Sequence, residues 1–337
     1  MTPTQRTRLR KALLLWYRSH ARALPWREQP TAYRVWISEV MLQQTPVKIA
    51  IPYFLRFVKR FPNPRALAEA SLDEVLTMWA GLGYYRRAKM LHQTAQHLVS
   101  PIPKHWEEWQ KLPGIGRYTA RAITSIAFGE RVSAIDANAK RVLTRIYFQK
   151  EKPTKPPKEL EALSESLMGD APPGLWNQAI MELGSLVCLP NGPKCEECPI
   201  GRWCGFFRCG KPSETLTPKP RKHYVVETHL CLCSLTQEGV GLRRAGKGEW
   251  WEGMYVFPRV TVPKGERLEA SVRSLHLGNV TPLEKIFHSI MNYRITLFPV
   301  ITSQCLNGVH YFPLQEASAL PLPSPDRRVL QQILLRK

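Results

Sequence analysis

Four cysteines, Cys188, Cys195, Cys198 and Cys204, lie within 17 residues in the pattern C-x6-C-x2-C-x5-C. Four thiolates so close in the chain suit a tetrahedral site, either an iron–sulfur cluster or structural zinc, and such a site staples the loop that carries it. The other four cysteines, Cys209, Cys231, Cys233 and Cys305, show no ligand spacing. Cys231 and Cys233 share one face of a strand and read as core. An intracellular chain keeps its thiols reduced, so close cysteines point to metal before disulfides.

The cysteine loop closes a long helical region. Over residues 1–208 apolar positions recur at three- and four-residue steps, with Pro25, Pro30, Pro46, Pro62, Pro101 and Pro113 at helix starts or connections. Leu9–Arg27 reads as a first helix followed by a turn at Pro25. The stretch 149–158 is a basic, Pro-rich loop, and 210–222 is a polar, Pro-rich linker. Beyond it the pattern changes. His223–Leu235, Val240–Arg243, Met254–Pro258 and Ile295–Thr302 read as strands, and Glu266–Leu277 and Asp326–Arg336 as helices. The 337 residues allow two cores, so the expected fold is an all-α region followed by a smaller α+β domain, without solenoid repeats.

Charge indicates the partner. Forty-eight Lys and Arg against 27 Asp and Glu leave a formal charge of +21, which favours a polyanion. An anionic membrane is the rival, but no long basic amphipathic helix with a clean apolar face stands out. The apolar run Ala12–Tyr17 is too short for a signal-peptide core. The first acidic residue is Glu28, so the start superficially resembles a mitochondrial transit peptide, yet Leu9–Arg27 reads as part of the fold. The expected location is intracellular, in cytoplasm or nucleoid.

Three further motifs carry chemistry. Leu112-Pro113-Gly114-Ile115-Gly116-Arg117-Tyr118-Thr119-Ala120 joins two helices through a glycine turn. It aims the N–H groups of a helix start outward, where they attract an anion; otherwise it is an ordinary helix–helix turn. Glu39 lies in Val35–Thr45, a helix apolar almost all round. There a carboxyl either acquires a raised pKa by burial or reaches solvent at the helix edge. Asp136 precedes Ala137-Asn138-Ala139-Lys140-Arg141-Val142 as an N-cap, whose capping amides would also keep a carboxylate ionised.

These segments, with Leu24-Pro25-Trp26-Arg27, Gly81–Ala88 and the cysteine spacing, resemble the MutY-type adenine DNA glycosylases of the helix-hairpin-helix (endonuclease III) superfamily. The resemblance runs from about residue 9 to beyond 300 and is strongest at 24–45, 79–91, 112–141 and 188–204. It implies a six-helix-type core over about 28–135 and a cluster subdomain from 1–27 plus 136–209. A Nudix-like lesion-recognition domain over 223–337 would follow. It also implies one [4Fe–4S] cluster on Cys188, Cys195, Cys198 and Cys204, a monomer, and double-stranded DNA containing a mismatch as partner. Arg202 and Arg208 of the cluster loop would face a phosphate backbone.

The reaction implied is hydrolysis of the N-glycosidic bond of adenine opposite 8-oxoguanine or guanine. It needs one carboxyl that keeps its proton and another that stays ionised. By resemblance Glu39 is the acid, and Asp136 stabilises or traps the sugar cation. Ala137 stands where the family usually has glycine. Tyr118 occupies the place of the lysine nucleophile in strand-cutting relatives, which implies a glycosylase without lyase activity. Tyr118 and Asn138 line the site, and Arg27 contacts the adenine region or forms a surface salt bridge. Gly114, Gly116 and Arg117 form the phosphate-gripping hairpin. Gln44 and Tyr84 would wedge the stack vacated by the flipped nucleotide. Phe287, His288 and Ser289 stand where the family reads the lesion with a Phe-Ser-His-type loop, in a different order. No acidic metal box appears in the second domain, so hydrolysis there is not expected. The rival readings are a thymine or uracil mismatch glycosylase and a non-catalytic lesion binder.

Overall fold

The computed structural model describes residues 1–98, 101–147, 157–210 and 223–336. In chain order the helices begin with α1 (Pro3–His20), α2 (Pro25–Glu28), α3 (Ala32–Leu42), α4 (Val47–Arg60), α5 (Pro64–Glu69) and α6 (Leu72–Trp79). They continue with α7 (Arg86–His97), α8 (Trp106–Gln110), α9 (Arg117–Ala127), α10 (Ala137–Ile146), α11 (Pro157–Met168), α12 (Pro173–Leu186) and α13 (Gly205–Arg208). The region before residue 210 is thus helical, as expected. The first helix starts earlier than its apolar pattern suggests. Thr2 and Gln5 form a reciprocal capping box and Pro3 occupies the first turn, so local hydrogen bonds extend α1 ahead of its buried stripe of Leu9, Leu13 and Tyr17. Loop 149–158 up to residue 156, and the linker from 211 to 222, lie outside the described residues.

The chain divides into two compact units, Met1–Glu69 with Met90–Lys219, and Ala70–Lys89 with Pro220–Lys337. In the first, Leu9, Leu13 and Tyr17 of α1 pack with Val142, Leu143, Leu160, Trp176, Ile180 and Leu183 of α10, α11 and α12, and with Val187 and Ile200 of the cysteine loop. That loop therefore sits on a helical core and does not hang from the chain end.

Among the described residues the second unit holds eight strands: β1 (Val225–Thr236), β2 (Gly239–Arg244), β3 (Tyr255–Val256), β4 (Arg259–Val262), β5 (Val280–Pro282), β6 (Ile286–Ile290), β7 (Tyr293–Thr302) and β8 (His310–Phe312). With them are α14 (Leu268–Ser274), α15 (Leu314–Ala319) and α16 (Ser324–Leu334). The main path is β3-β2-β1-β7-β5, with β4 on β1, β6 on β7 and β8 on β2. β1 and β7 pair in parallel from Val225↔Tyr293 to Ser234↔Thr302, and the other pairings are antiparallel. A central strand is buried on both faces, which explains the unbroken apolar run in β1. Cys231 and Cys233 enter one core with Leu297, Val329 and Ile333, while Leu230 and Leu232 enter the other with Val262 and Val300. Both cysteines are core residues, as the period-two spacing suggests.

Four strands, β4, β5, β6 and β8, carry no clear sequence signal. They are short or polar, and they are strands because β1, β2 or β7 offers them a hydrogen-bonding edge. Conversely, the expected strand Met254–Pro258 shrinks to Tyr255–Val256. On α16, Asp326 is fully buried. It accepts from the Phe257 N–H at 2.9 Å and from Arg259 at 2.6 Å, tying the helix to β4. Asp326→Ala would leave a largely buried guanidinium without its partner and should destabilise the sheet unit by about 3–5 kcal/mol, read by chemical denaturation.

Candidate functional site

Helix α3 presents the central acid. Thr31 caps it through Arg34 N–H at 3.3 Å, and Tyr33, Val35, Trp36, Ile37, Val40 and Met41 bury most of its circumference. Glu39 is left facing a cleft of about 1030 Å³ within the helical unit. That cleft also receives Tyr118 from α9, Asp136 and Asn138 from the start of α10, and Arg27 from α2. Gln44, exposed and at φ +59, stands on its rim. Residues spread from 27 to 138 in the sequence therefore share one cavity.

Glu39 retains some solvent contact through the cleft, yet protein encloses it. Burial pushes its carboxyl up to about 7, and the negative charge of Asp136 adds to the rise. The Tyr118 hydroxyl, donating to Oε2 at 2.6 Å, and the charge of Arg27 oppose it. Tyr118 is itself held well above the ordinary phenol value by burial and by the carboxylates of Glu39 and Asp136, so it remains a donor. Its hydroxyl also approaches the Met181 sulfur at 3.6 Å.

Asp136 is the N-cap of α10. One oxygen accepts from Ala139 N–H at 2.6 Å and the other from the Asn138 amide at 2.9 Å. Capping and a site role are thus compatible, because the cap occupies one oxygen while the side chain still lines the cleft. Asn138 is oriented in turn by Arg141, which donates to its Oδ1 at 2.9 Å, to Gly184 O at 2.6 Å and to Cys188 O at 2.7 Å.

Two floor residues escaped the sequence reading. Glu182 of α12 is almost wholly buried and accepts two side-chain bonds from Arg22, at 2.8 and 2.9 Å, and one from Arg27 at 2.8 Å. Burial alone would raise its pKa, but these bonds and the Arg22 backbone N–H pull the carboxyl down to about 2. A single charged residue in the otherwise uncharged run Trp176–Leu186 was the signal that could have flagged it. Arg27 accordingly belongs to a buried ion-pair group lining the cleft, not to a surface pair.

The hairpin glycines have distinct roles. Gly114 adopts φ +72, and a Cβ there would lie 2.6 Å from Met90 Cβ. Gly116 caps α9 with open space where a side chain would be, leaving the helix N-terminus approachable. Arg117 is engaged elsewhere. Its guanidinium pairs with Glu161 through bonds of 2.9 and 2.6 Å and lies over Trp106, so it braces the hairpin against α11.

In the cysteine loop, burial pushes Cys198 up to about 12 and Cys204 up to about 11, and the neighbouring thiols, Cys188 and Cys195 among them, add to both rises. Buried Arg145 donates to Leu189 O at 2.6 Å, to Pro190 O at 3.0 Å and to the Cys188 sulfur at 3.4 Å, while its carbonyl accepts from the Cys204 thiol at 3.2 Å. Among the described residues no three His, Cys, Asp or Glu side chains converge closely enough to hold a metal ion.

The remaining expected residues belong to the other unit. Tyr84 is 57% exposed at φ +50 in the turn after α6. Phe287, His288 and Ser289 lie inside β6 and not in a loop; the hairpin tip beside them is Met291-Asn292, with Met291 at φ +53. Phe287 is exposed. His288 faces Arg259 and the Trp251 ring, and burial, together with the charge of Arg259, lowers its pKa to about 4.

A family profile described as HhH-GPD superfamily base excision DNA repair protein matches residues 37–169. An adenine DNA glycosylase of Buchnera aphidicola (subsp. Schizaphis graminum) is 30% identical over 342 aligned residues, covering 95% of this chain and 96% of the relative. The human adenine DNA glycosylase is 43% identical over 213, covering 59% of this chain and 39% of its own length. Among solved structures, a thermostable thymine-DNA glycosylase superposes with a TM-score of 0.55 at 23% identity, over 61% of this chain and 98% of its own. A trapped endonuclease III–DNA covalent intermediate superposes with a TM-score of 0.53 at 22%, over 63% and 100%. These two likenesses show the helical fold.

The Glu39 pKa can be tested without any substrate. Its folded value lies above that of an unfolded glutamate, so its contribution to stability is complete below about pH 4.5 and is lost as pH rises through about 7. Glu39→Gln should therefore be more stable than the parent at pH 8, by about 1–3 kcal/mol, with the difference vanishing near pH 4. Tyr118→Phe should move the Glu39 titration, followed by carboxyl NMR, further upward.

Proposed function

Because the chain belongs to the adenine DNA glycosylases of the helix-hairpin-helix superfamily, we propose that its cleft hydrolyses the N-glycosidic bond of adenine mispaired with 8-oxoguanine or guanine. The observation that carries the reading is the pairing of Glu39, whose pKa lies near neutrality, with the donor-supplied Asp136 in one cavity. Protonated Glu39 gives its proton to a ring nitrogen of the leaving adenine as the C1′–N bond breaks. Asp136, anionic beneath the sugar, offsets the oxocarbenium charge or adds to it. Water then completes hydrolysis at C1′. Its proton returns to Glu39, and an abasic site remains. Tyr118 holds the Glu39 carboxyl in place. As a phenol it has no amine with which to form a Schiff base, so the strand stays intact.

The target base is inaccessible in a duplex and must be flipped. Gln44 on the cleft rim and the exposed Tyr84 ring are the proposed wedges. The open start of α9 at Gly116 is the phosphate grip, and the net charge of +21 supplies long-range attraction to DNA. Arg27, bound to Glu182, faces the base pocket. The domain over 223–337 is proposed as Nudix-like and lesion-reading, with Phe287, His288 and Ser289 and the adjoining hairpin tip as its contact segment. The protein acts as a monomer on duplex DNA, and no helix among the described residues is long and apolar enough to cross a membrane.

The four-cysteine loop fits a [4Fe–4S] cluster. The donor set is all thiol and comes from one loop, and backbone N–H groups of Ile200, Phe206 and Phe207 bond to Cys198 and Cys204. A multi-iron cluster takes thiolates farther apart than a single ion does. When bound it fastens the loop to α10 through Arg145, a structural service.

Single-turnover release of adenine, measured on duplexes carrying A opposite 8-oxoguanine, A opposite guanine and T opposite guanine, should be fast on the first two and absent on the third, without strand cleavage. Release of thymine would replace the adenine reading with the mismatch-thymine one. Glu39→Gln should slow release about 10²–10⁴-fold. The parent rate should fall as pH rises through about 7, because the reactive form is protonated. Elemental analysis of purified protein should find about four irons and four sulfides per chain, lost in Cys198→Ala; zinc alone would refute the cluster.

A further inference from the structure

Residues Ala70–Lys89 interrupt the helical domain in sequence but fold with the sheet. They carry Tyr84 in a stiff turn. Gly81 and Gly83 take φ +101 and +76, Trp79 donates to Gly83 O at 3.0 Å, and Gly81 N–H donates to the Tyr85 hydroxyl at 3.3 Å. The Arg87 guanidinium lies 5.2 Å from the Tyr84 ring and 5.4 Å from that of Trp79, and it donates to Gly83 O at 3.3 Å. Both ends of the segment are tied to the sheet. Asp73, in the first turn of α6, pairs with Arg244 of β2. Lys89 pairs with Glu252 at 3.0 Å, and the Thr77 hydroxyl donates to Ala319 O at 3.3 Å.

Arg244 and Glu252 are linked through one loop. Arg244 donates to Gly253 O at 3.0 Å, and Glu252 accepts from Gly248 N–H at 3.2 Å. Gly253, at φ +82, leaves room for Lys89, whose Nζ would lie 3.4 Å from a Cβ there. The same loop carries Trp250 and Trp251. The Trp251 ring stands 5.8 Å from His288 of β6, and that of Trp250 stands 5.0 Å from Tyr293 of β7. An unbroken run of contacts thus joins the Tyr84 turn to the β6–β7 hairpin.

We propose that the Asp73–Arg244 and Lys89–Glu252 pairs form a clasp that sets the position of Tyr84 from the sheet domain, so that wedging and reading of the opposite base act as one unit. The inference rests on the reading of this chain as a mismatch-selective adenine glycosylase. The four residues position another group and do not touch the reacting atoms. Their half-exposed pairs are suited to this, since such pairs contribute little to stability but specify orientation.

The test uses the full chain with duplexes carrying A opposite 8-oxoguanine or A opposite guanine. It reads the ratio of single-turnover rates and the fluorescence of 2-aminopurine placed beside the opposing base. Arg244→Glu with Glu252→Lys, which opposes like charges at both pairs, should lower the rate ratio about threefold to tenfold. It should also blunt the fluorescence change while the melting temperature moves little. Adding Asp73→Arg and Lys89→Glu, which restores opposite charges, should recover both readouts. In a Tyr84→Ala background the clasp variant should have no further effect. A ratio that survives the double variant overturns the clasp alone, and so does a further fall in the Tyr84→Ala background or a failure of the reversed charges to rescue. Failure of the parent to release adenine from either duplex would overturn the functional reading, whereas equal parent rates on the two would overturn the clasp alone.

Discussion

One hydrogen bond organises the chemistry of this molecule, that from the Tyr118 hydroxyl to Glu39 at 2.6 Å. Burial raises the pKa of a carboxyl enclosed by α3 and its neighbours. The phenol donor opposes that rise, and the balance falls at about 7. A group poised there can give up its proton and take it back. The bond crosses 79 residues of sequence, so the state of the Glu39 carboxyl depends on the packing of α9 against α3.

The cleft treats two glutamates in opposite ways. Glu39 rises to about 7 because little compensates its burial, and Glu182 falls to about 2 because two arginines do. The difference, about 7 minus about 2, is some five pH units between side chains of one type lining one cavity. Glu182 and its arginines are a fixed charge array, whereas Glu39 lies near the point at which a proton is gained or lost. Two carboxylates in matching environments would not be driven apart in this way.

Helix α10 carries two systems at once. Its N-terminus holds Asp136 and Asn138 at the cleft, and further along the same helix Arg141 and Arg145 engage the cysteine loop. The loop thereby secures the helix whose first turn carries Asp136 and Asn138. Within the sheet unit Asp326 plays a comparable part, fastening α16 to the edge that bears Arg259 and Trp251.

Much of this was legible in the chain. Short-range chemistry reads directly from sequence: the glycine turn before α9, the N-cap at Asp136, the thiol spacing and the two-faced apolar run of β1 depend on neighbours a few residues away. Relations that depend on partners far off in sequence did not show. The apolar pattern around Glu39 announced burial, but only its approach to Tyr118 and Asp136 set the value of its pKa. Nothing near Arg117 in the chain announces its pairing with Glu161, 44 residues on. Glu182 had no motif, and its meaning comes from Arg22, 160 residues away. The strands β4, β5, β6 and β8 exist because longer strands lend them an edge, and the allegiance of residues 70–89 to the sheet rests on ion pairs with residues beyond 240. Sequence determines what a residue can do, through its chemistry and immediate neighbours; tertiary packing decides what it does, because burial and charge are set by whatever arrives from elsewhere in the chain.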